Sequence, residues 1–229
     1  MPAIMNHPAH LLAMLQSHAL THGELHCHIL PDRVITYRRL WSRIERASAR
    51  LQGEWGIGSG HTVAYVGSGH PDAIVLYAAL LRIGARLLAL EGLATPAISA
   101  LLAATQTSLV VADEDHAPLP RGVAVKSLSL LLADWCYADP LCVAEDPDAP
   151  SLLLPVQASC GGELNVAQPP GIQAWSLRQL TASLPERPST FQVSSALFTA
   201  EVLSGSVLPA LRDAQILHFS SIEQSPSDD

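Results

Sequence analysis

The sequence predicts an α/β fold in which one or more mainly parallel sheets are flanked by helices. Helical and strand patterns alternate from Thr36 to Asp113, and the strand segments are continuous apolar runs. Hydrophobic residues make up 48% of the 229-residue chain, and the mean hydropathy is +0.24. Continuous apolar strands are typical of parallel sheets that are covered on both faces. A succession of strand, helix and strand also predicts right-handed crossovers.

The composition argues against several classes of protein. Charged residues account for 15% of the chain, which is too few for disorder over most of its length. The net charge of −8 has no basic patch to balance it, so a general nucleic-acid binder is not expected. We find no signal-peptide pattern and no apolar run long enough to cross a bilayer. We therefore expect a cytoplasmic protein without a membrane span.

The cysteines have unrelated spacings and form no CxxC pair. This pattern favours reduced cytosolic thiols over a disulfide framework. The four residues are Cys27, Cys136, Cys142 and Cys160.

The first elements are predicted from residue spacing and from turn residues. A helix is expected from Ala9 to Ala19, followed by two short strands between Leu25 and Ile35 around the turn pair Pro31-Asp32. Thr36 then caps a helix that stops at Gly53. Apolar residues three and four apart form one stripe on that helix: Tyr37, Leu40, Trp41, Ile44, Ala47 and Leu51.

The central part of the chain alternates strands with helices. Strands are predicted at Val63–Val66, Arg86–Leu90 and Ser108–Ala112. A helix that is apolar nearly all round, and therefore sandwiched between layers, is predicted at Ala73–Ile83. Thr95 is expected to cap the next helix, with Pro96 at its first position.

The last third of the chain contains more loops. We expect a strand at Ser151–Val156 and a long loop of small residues at Gln157–Gly171. The remaining predicted elements are a helix at Ser176–Leu184, a strand at Thr190–Ser194, a helix at Ala196–Leu211 and a strand at Gln215–Ser220. In domain terms, these elements predict an N-terminal α/β subdomain at 1–137, an Asp/Pro-rich linker at 138–150, a second α/β segment of the same large domain at 151–220 and a frayed tail at 221–229.

Two groups of polar residues in the first 50 positions have ordinary structural explanations. His18, His22 and His26 are spaced by four, which would align metal ligands on a helix, but Gly23 interrupts that helix. A surface helix followed by a strand is the favoured interpretation, and no metal site is assigned. A basic stripe is interpreted as a solvated helix face. It comprises Arg38, Arg39, Arg43, Arg46 and Arg50.

Several short sequence motifs along the chain are similar to those of the adenylate-forming superfamily, which includes acyl-CoA synthetases, aryl-acid ligases, adenylation domains and luciferases. The stretches at 35–41, 56–64, 70–85, 93–98 and 109–113 resemble the family's motifs in order and spacing. Residues 194–199 and 207–214 continue the resemblance. It implies the N-terminal region of the large domain of AMP-dependent ligases, covering less than half of a complete enzyme.

The family's phosphate loop is the part of the resemblance that is degenerate. Such a loop holds phosphates with small residues, hydroxyls and a lysine. The remnant here comprises Ser159, Gly161, Gly162, Pro170 and Gly171, with Pro170 in the lysine position. Glu163 adds a carboxylate that would repel phosphates by on the order of 1 kcal/mol. Thr199 replaces the histidine of the family's "PLFH" segment.

The resemblance further implies that the adenine- and ribose-binding motifs, the magnesium-binding glutamate and the catalytic lysine lie beyond the end of this chain. No catalytic residue is therefore assigned, and ATP with Mg²⁺ is expected only if the chain is part of a working ligase. Other chemistry was considered at Cys160, with His70 or His218 as a base, but nothing in the spacing links these residues. A polar cluster at 113–116 could line a crevice, although a solvated turn is favoured.

Three functional hypotheses remain. The chain is a ligase-like pseudoenzyme that acts as a scaffold or partner subunit, or it is one component of a split acyl-adenylate-forming ligase, or it is a decayed fragment without a selected role. We favour the first and do not expect independent ligase activity. An uncovered flank of the sheet is the predicted surface for a protein partner or a second copy of the chain.

Overall fold

The computed structural model of the protein describes residues 10–30, 33–113, 118–120, 122–133, 140–156, 171–182, 191–193 and 197–219. Ten strands form two sheets in these residues, and helices cover both faces of the larger one. The α/β class with a mainly parallel sheet flanked by helices is confirmed. No helix in these ranges is both long enough and apolar enough to cross a membrane.

The larger sheet has six strands in the order β6-β5-β3-β4-β7-β8. Its first five strands are parallel, and β8 pairs antiparallel with β7. The strands are β3 (Thr62–Val66), β4 (Arg86–Ala89), β5 (Leu109–Ala112), β6 (Val125–Ser127), β7 (Pro150–Val156) and β8 (Gly171–Ser176). The predicted strands of this sheet are confirmed, but β6 and β8 were not predicted.

The smaller sheet has the order β2-β1-β10-β9 and brings the two ends of the chain together. Its strands are β1 (His26–Ile29), β2 (Val34–Thr36), β9 (Phe191–Val193) and β10 (Leu217–Phe219). Strand β1 pairs antiparallel with β2 and parallel with β10. The predicted pair of short strands before Thr36 is confirmed, while the turn residues between them lie outside the described ranges.

The helices of the described residues pack against the sheets or against one another. They are α1 (Leu11–Thr21), α2 (Tyr37–Gly53), α3 (Ala73–Arg82), α4 (Thr95–Ala104), α5 (Leu128–Leu131), α6 (Leu177–Thr181), α7 (Ala200–Val202) and α8 (Leu208–Arg212), with a π-helical turn, Leu203–Val207, joining the last two. All residues from Ala73 to Leu81 are buried, which confirms that α3 lies between layers. On the opposite face of the sheet, Ile98, Leu101 and Leu102 of α4 form a second core cluster.

Local capping explains where several helices begin. The Thr36 side chain accepts a hydrogen bond from the Arg39 amide at the start of α2, as predicted. Ser176 and Gln179 form a capping box at α6. The prediction for α4 was wrong in detail, because Ala94 is the cap residue and Thr95 is already helical. The Thr95 hydroxyl instead donates to the carbonyl oxygen of Pro118, at 2.9 Å.

The solvated-face interpretation of the basic stripe was wrong for two of its arginines. Arg50 is buried and donates to the carbonyl oxygens of Leu130 (2.7 Å), Leu131 (3.0 Å) and Ala133 (2.9 Å) at the end of α5. Arg43 keeps 13% of its side chain exposed and pairs with Asp72. Cations are stabilised by helix carboxyl termini and by carboxylates, and the sequence pattern of α2 did not show which partners would face it.

The Asp/Pro-rich segment after α5 contacts the first part of the fold. The Val143 amide donates to the Arg82 carbonyl oxygen at 3.0 Å. The Glu145 carboxylate accepts the Leu12 amide at 3.3 Å, at the beginning of α1. Burial raises the pKa of Glu145 to about 7, although its backbone hydrogen bonds at the start of α1 oppose the rise. The domain boundaries proposed from composition remain a prediction.

Candidate functional site

A cleft of about 460 Å³ opens at the carboxyl ends of β3, β5 and β6. In open parallel sheets this edge is where ligands usually bind. The residues that line the cleft are Arg33, Arg43, Ser68, His70, Asp72, Asp113, Leu128, Ser129 and Leu132. Apart from Arg43, the arginine stripe of α2 does not reach this cleft.

Asp72 is the centre of charge at one side of the cleft. Its side chain is 4% exposed and pairs with Arg33 at 2.5 Å and with Arg43 at 2.6 Å. A second contact joins Arg43 to the other carboxylate oxygen of Asp72, at 3.0 Å, so this pair is bidentate. The sequence placed Asp72 near the beginning of α3, and the structure adds two guanidinium groups that hold its carboxylate in place.

Asp113 lies at the other side of the cleft, directly after β5. Its Oδ2 accepts hydrogen bonds from the Tyr65 hydroxyl (2.9 Å) and from the Ser68 amide (2.9 Å). Burial, together with the nearby Asp113 charge, raises the pKa of Tyr65. Asp113 is half-buried, so the favoured interpretation as a solvated turn was wrong at this residue. The rest of the polar cluster at 114–116 lies outside the described residues.

The close approach of Asp113 explains a glycine after β3. A Cβ atom on Gly67 would lie 2.1 Å from Asp113 Oδ2 and 2.6 Å from the Tyr65 hydroxyl. Such contacts are far shorter than any real Cβ contact, so a larger residue would displace this hydrogen-bond network. Gly67 is therefore part of the construction of the cleft.

Glu91 follows β4 and was not singled out from the sequence. Its Oε2 accepts the Phe198 amide at 2.9 Å, which ties the C-terminal segment to the larger sheet. Burial raises the pKa of Glu91 to about 7, and the charge of Asp113 adds to the rise. A charged residue immediately after a buried apolar strand was the available signal for such a contact.

Of the predicted phosphate-loop remnant, only Gly171 lies in the described part of the chain, and it does not line this cleft. Gly171 is the first residue of β8, so the predicted loop ends one residue too late. Gly171 pairs with Val156, at the edge of the sheet opposite to β6. Ser159, Gly161, Gly162 and Pro170 lie outside the described residues, and the phosphate-loop remnant stays a prediction. Cys160 also lies outside them. Of its proposed partners, His70 lines the cleft, whereas His218 belongs to the smaller sheet.

The evenly spaced histidines occupy different elements. His18 lies on α1 and contacts the Arg212 carbonyl oxygen at 3.1 Å, and His22 follows the helix. His26 is the first residue of β1. Within the part of the chain that the structure describes, no group of three or more metal-ligating side chains is found.

Comparisons with known proteins place this geometry in context. Residues 15–171 match the sequence model of a family described as AMP-binding enzyme. A comparison with curated proteins gives no significant match.

Solved structures with the same fold come from adenylation and CoA-ligase proteins. The NpsA N-terminal subdomain of Klebsiella oxytoca aligns with a TM-score of 0.76 at 19% identity, covering 91% of this chain and 54% of that one. The O-succinylbenzoate coenzyme A synthetase of Bacillus subtilis, in complex with AMP, aligns with a TM-score of 0.72 at 14% identity, covering 90% and 55%. An artificially fused adenylation–PCP di-domain, NpsA-ThdA, gives 0.74 at 18% identity, covering 92% and 42%. This chain thus spans about half the length of the structures that it resembles.

Proposed function

Because this chain belongs to the AMP-binding enzyme family, we propose that it is an adenylate-forming ligase-like subunit that acts with a second polypeptide and not as an independent ligase. The observation that carries the proposal is the exposed edge position of strand β8. It forms one edge of the larger sheet, pairs only with β7 in the described structure, and is exposed from Gly171 to Ala174. An edge strand with exposed apolar side chains invites pairing or coverage by another chain.

Two exposed apolar side chains near this edge, one on β7 and one on β8, lie on opposite faces of the sheet. Val156 is 43% exposed and Ile172 is 36% exposed, and they belong to successive positions of the β7–β8 pairing. We call these two residues and strand β8 the β8 flank. The aligned NpsA subdomain extends beyond the region that this chain matches, and the proposed occupant of the β8 flank is polypeptide equivalent to that further region.

The sequence supports a non-catalytic role for the chain by itself. Glu163 and Pro170 replace groups that the family uses to hold phosphates. The proposed role is therefore that of a pseudoenzyme scaffold whose partner binds at the β8 flank. We also propose a cytoplasmic location, which the free thiols of Cys27 and Cys142 support.

A split ligase is the second candidate, and one observation favours it. The family match extends to residue 171 and so includes the loop remnant, where Ser159, Gly161 and Gly162 are retained. In this case the partner would complete a nucleotide site with the retained residues, and carboxylic-acid activation with ATP and Mg²⁺ would appear only in the mixture. Acid-dependent ATP–pyrophosphate exchange by the mixture, but by neither chain alone, distinguishes this candidate from the scaffold.

The β8 flank can be tested without knowing the partner. A bare apolar flank should make the isolated chain self-associate as its concentration rises, and sedimentation velocity measures this directly. We expect the double variant Val156→Glu/Ile172→Glu to remain monomeric, because charges at an edge oppose strand association. Leu141→Glu is the matched control, since Leu141 is 80% exposed but lies outside the strands. Monomeric wild-type protein at all concentrations, or equal effects of both variants, would contradict the proposal.

A further inference from the structure

A second cavity adjoins the cleft on the arginine-bearing side of α2. It has a volume of about 130 Å³ and is lined by Arg33, Ile35, Arg39, Arg43, Arg46 and Leu132. We call it the arginine groove. Arg33, Arg43 and Leu132 line both cavities, so the groove and the cleft are adjacent.

The groove is formed by one face of α2 and by the residue that directly precedes β2. Arg39, Arg43 and Arg46 are spaced by four and three along α2, which places them on the same side of the helix. Arg33 precedes β2 and faces them across the groove. The fold therefore concentrates guanidinium groups that the sequence distributes over two elements.

Two of these arginines are held in position before any ligand binds. Arg33 and Arg43 both pair with Asp72, at 2.5 and 2.6 Å. Ordering a long side chain in advance lowers the entropy that a ligand must overcome. Each guanidinium has five N–H donors. The contacts with Asp72 occupy one nitrogen of Arg33 and two of Arg43, so donors remain for a ligand.

Among the described residues that line the groove, every charged side chain is a guanidinium. Arg33 and Arg43 share the single carboxylate of Asp72. In the described part of the chain, the side chain of Arg39 has no ion pair or hydrogen bond, although it lines the same groove. A concave site with excess guanidinium charge attracts anions. The apolar walls, Ile35 and Leu132, strengthen that attraction because they keep water away.

We propose that the arginine groove binds the phosphate group of a small phosphorylated molecule. Phosphate oxygens match the planar fork of a guanidinium, which can donate two parallel hydrogen bonds to them. The rest of the ligand extends into the cleft, where Ser68, Ser129 and His70 offer polar contacts. Asp113 repels a second anionic group at that end, so the ligand enters with its phosphate toward α2.

The described residues that line this site include none of the phosphate-loop remnant, and the inference does not depend on the proposed function. The groove lies beside α2, and the cleft that it joins lies at the ends of β3, β5 and β6. The remnant ends at Gly171, on the opposite edge strand β8. A ligand in the groove would therefore bind whether or not the chain takes part in adenylation.

Calorimetric titration of the full chain with inorganic pyrophosphate at low salt tests the site. We expect saturable binding that Arg39→Gln weakens about tenfold or more, since a charge-assisted hydrogen bond is lost. Arg38→Gln is the matched control, because it removes the same charge from the same helix at a side chain that is 68% exposed and pairs with Glu24. This control should change the affinity by less than about twofold.

Two results would overturn the proposal. One is the absence of saturable binding by wild-type protein at millimolar pyrophosphate. The other is an equal loss of affinity in Arg38→Gln and Arg39→Gln, which would show that only the general charge of α2 matters. Thermal melts of both variants, which alter exposed side chains, establish that the comparison is made between folded proteins.

Discussion

Glu91 shows how one buried carboxylate can make the stability of the fold depend on pH. Burial raises its pKa to about 7, so the folded protein binds the proton more tightly than the unfolded chain does. The stabilising contribution of the protonated side chain is complete below pH 4.5 and is lost as the pH rises through 7. Glu145 has a raised pKa for the same reason and contributes a loss of the same sign.

We predict that Glu91→Gln stabilises the protein more at pH 8 than at pH 5, by about 2 kcal/mol. The uncharged amide keeps an oxygen for the Phe198 amide and removes the cost of a buried negative charge. Urea unfolding at the two pH values measures the difference. Glu54→Gln, at a side chain that is 49% exposed, is the control variant. A pH-independent effect of Glu91→Gln would contradict the assignment.

His28 has the opposite pH dependence. It is fully buried in β1, its ring packs edge-on against Phe219 at 5.4 Å, and neither ring nitrogen has a hydrogen-bond partner in the described structure. Burial lowers its pKa from 6.5 to about 4. Its neutral form therefore supports the fold above pH 6.5, and that support is lost as the pH falls through 4.

We predict that His28→Leu raises the free energy of unfolding by about 1 kcal/mol at pH 8, because two unsatisfied nitrogens are removed. The gain should be about 2 kcal/mol larger at pH 5. At that pH, protonation of His28 stabilises the unfolded wild-type chain, and the leucine variant lacks this effect. Chemical denaturation at both pH values provides the measurement, and His26→Leu, at an exposed position of the same strand, is the control. Destabilisation by His28→Leu at pH 5 would show that the ring has a partner after all.

At the scale of the elements, Arg50 links two helices. Its guanidinium leaves α2 and donates to three carbonyl oxygens at the end of α5, where a helix leaves carbonyl groups without intrahelical partners. The Leu130 oxygen also accepts the Ala133 amide. Only 4% of the residue is exposed. This arrangement explains how a four-residue helix can be held in place, since helices this short are not stable by themselves.

We predict that Arg50→Met lowers the free energy of unfolding by about 2–3 kcal/mol, because buried carbonyl oxygens lose a charged donor. Amide hydrogen exchange should accelerate most at 128–133. Arg38→Met, which removes an exposed arginine of the same helix, should cost less than about 1 kcal/mol. Equal costs for the two variants would mean that Arg50 does not support α5.

The elements that were predicted correctly carry strong local signals. The apolar spacing of α2, the cap at Thr36 and the continuous apolar run of α3 are properties of neighbouring residues. Strand β8 was missed because Gly171–Ser176 is exposed over most of its length and carries no apolar run. The cleft was only partly foreseen, through the polar cluster that begins at Asp113, because contacts such as that between Arg33 and Asp72 join residues far apart in the chain.

At the scale of the whole molecule, one core connects the two ends of the chain. Phe198 packs edge-on against Tyr65 (5.8 Å) and Tyr77 (6.1 Å), and the Tyr37 hydroxyl donates to the Gln215 carbonyl oxygen at 3.0 Å. The segment at 197–219 therefore packs into the same core as β3, α2 and α3.

The most direct test of the account is acid-dependent ATP–pyrophosphate exchange by the purified chain with Mg²⁺ and a panel of aryl and acyl acids. Exchange requires formation of an acyl-adenylate, so phosphate binding in the arginine groove cannot produce it. We predict no exchange above the rate without protein. Exchange by the chain alone with any acid in the panel would contradict the proposal that this member of the family does not act as an independent ligase.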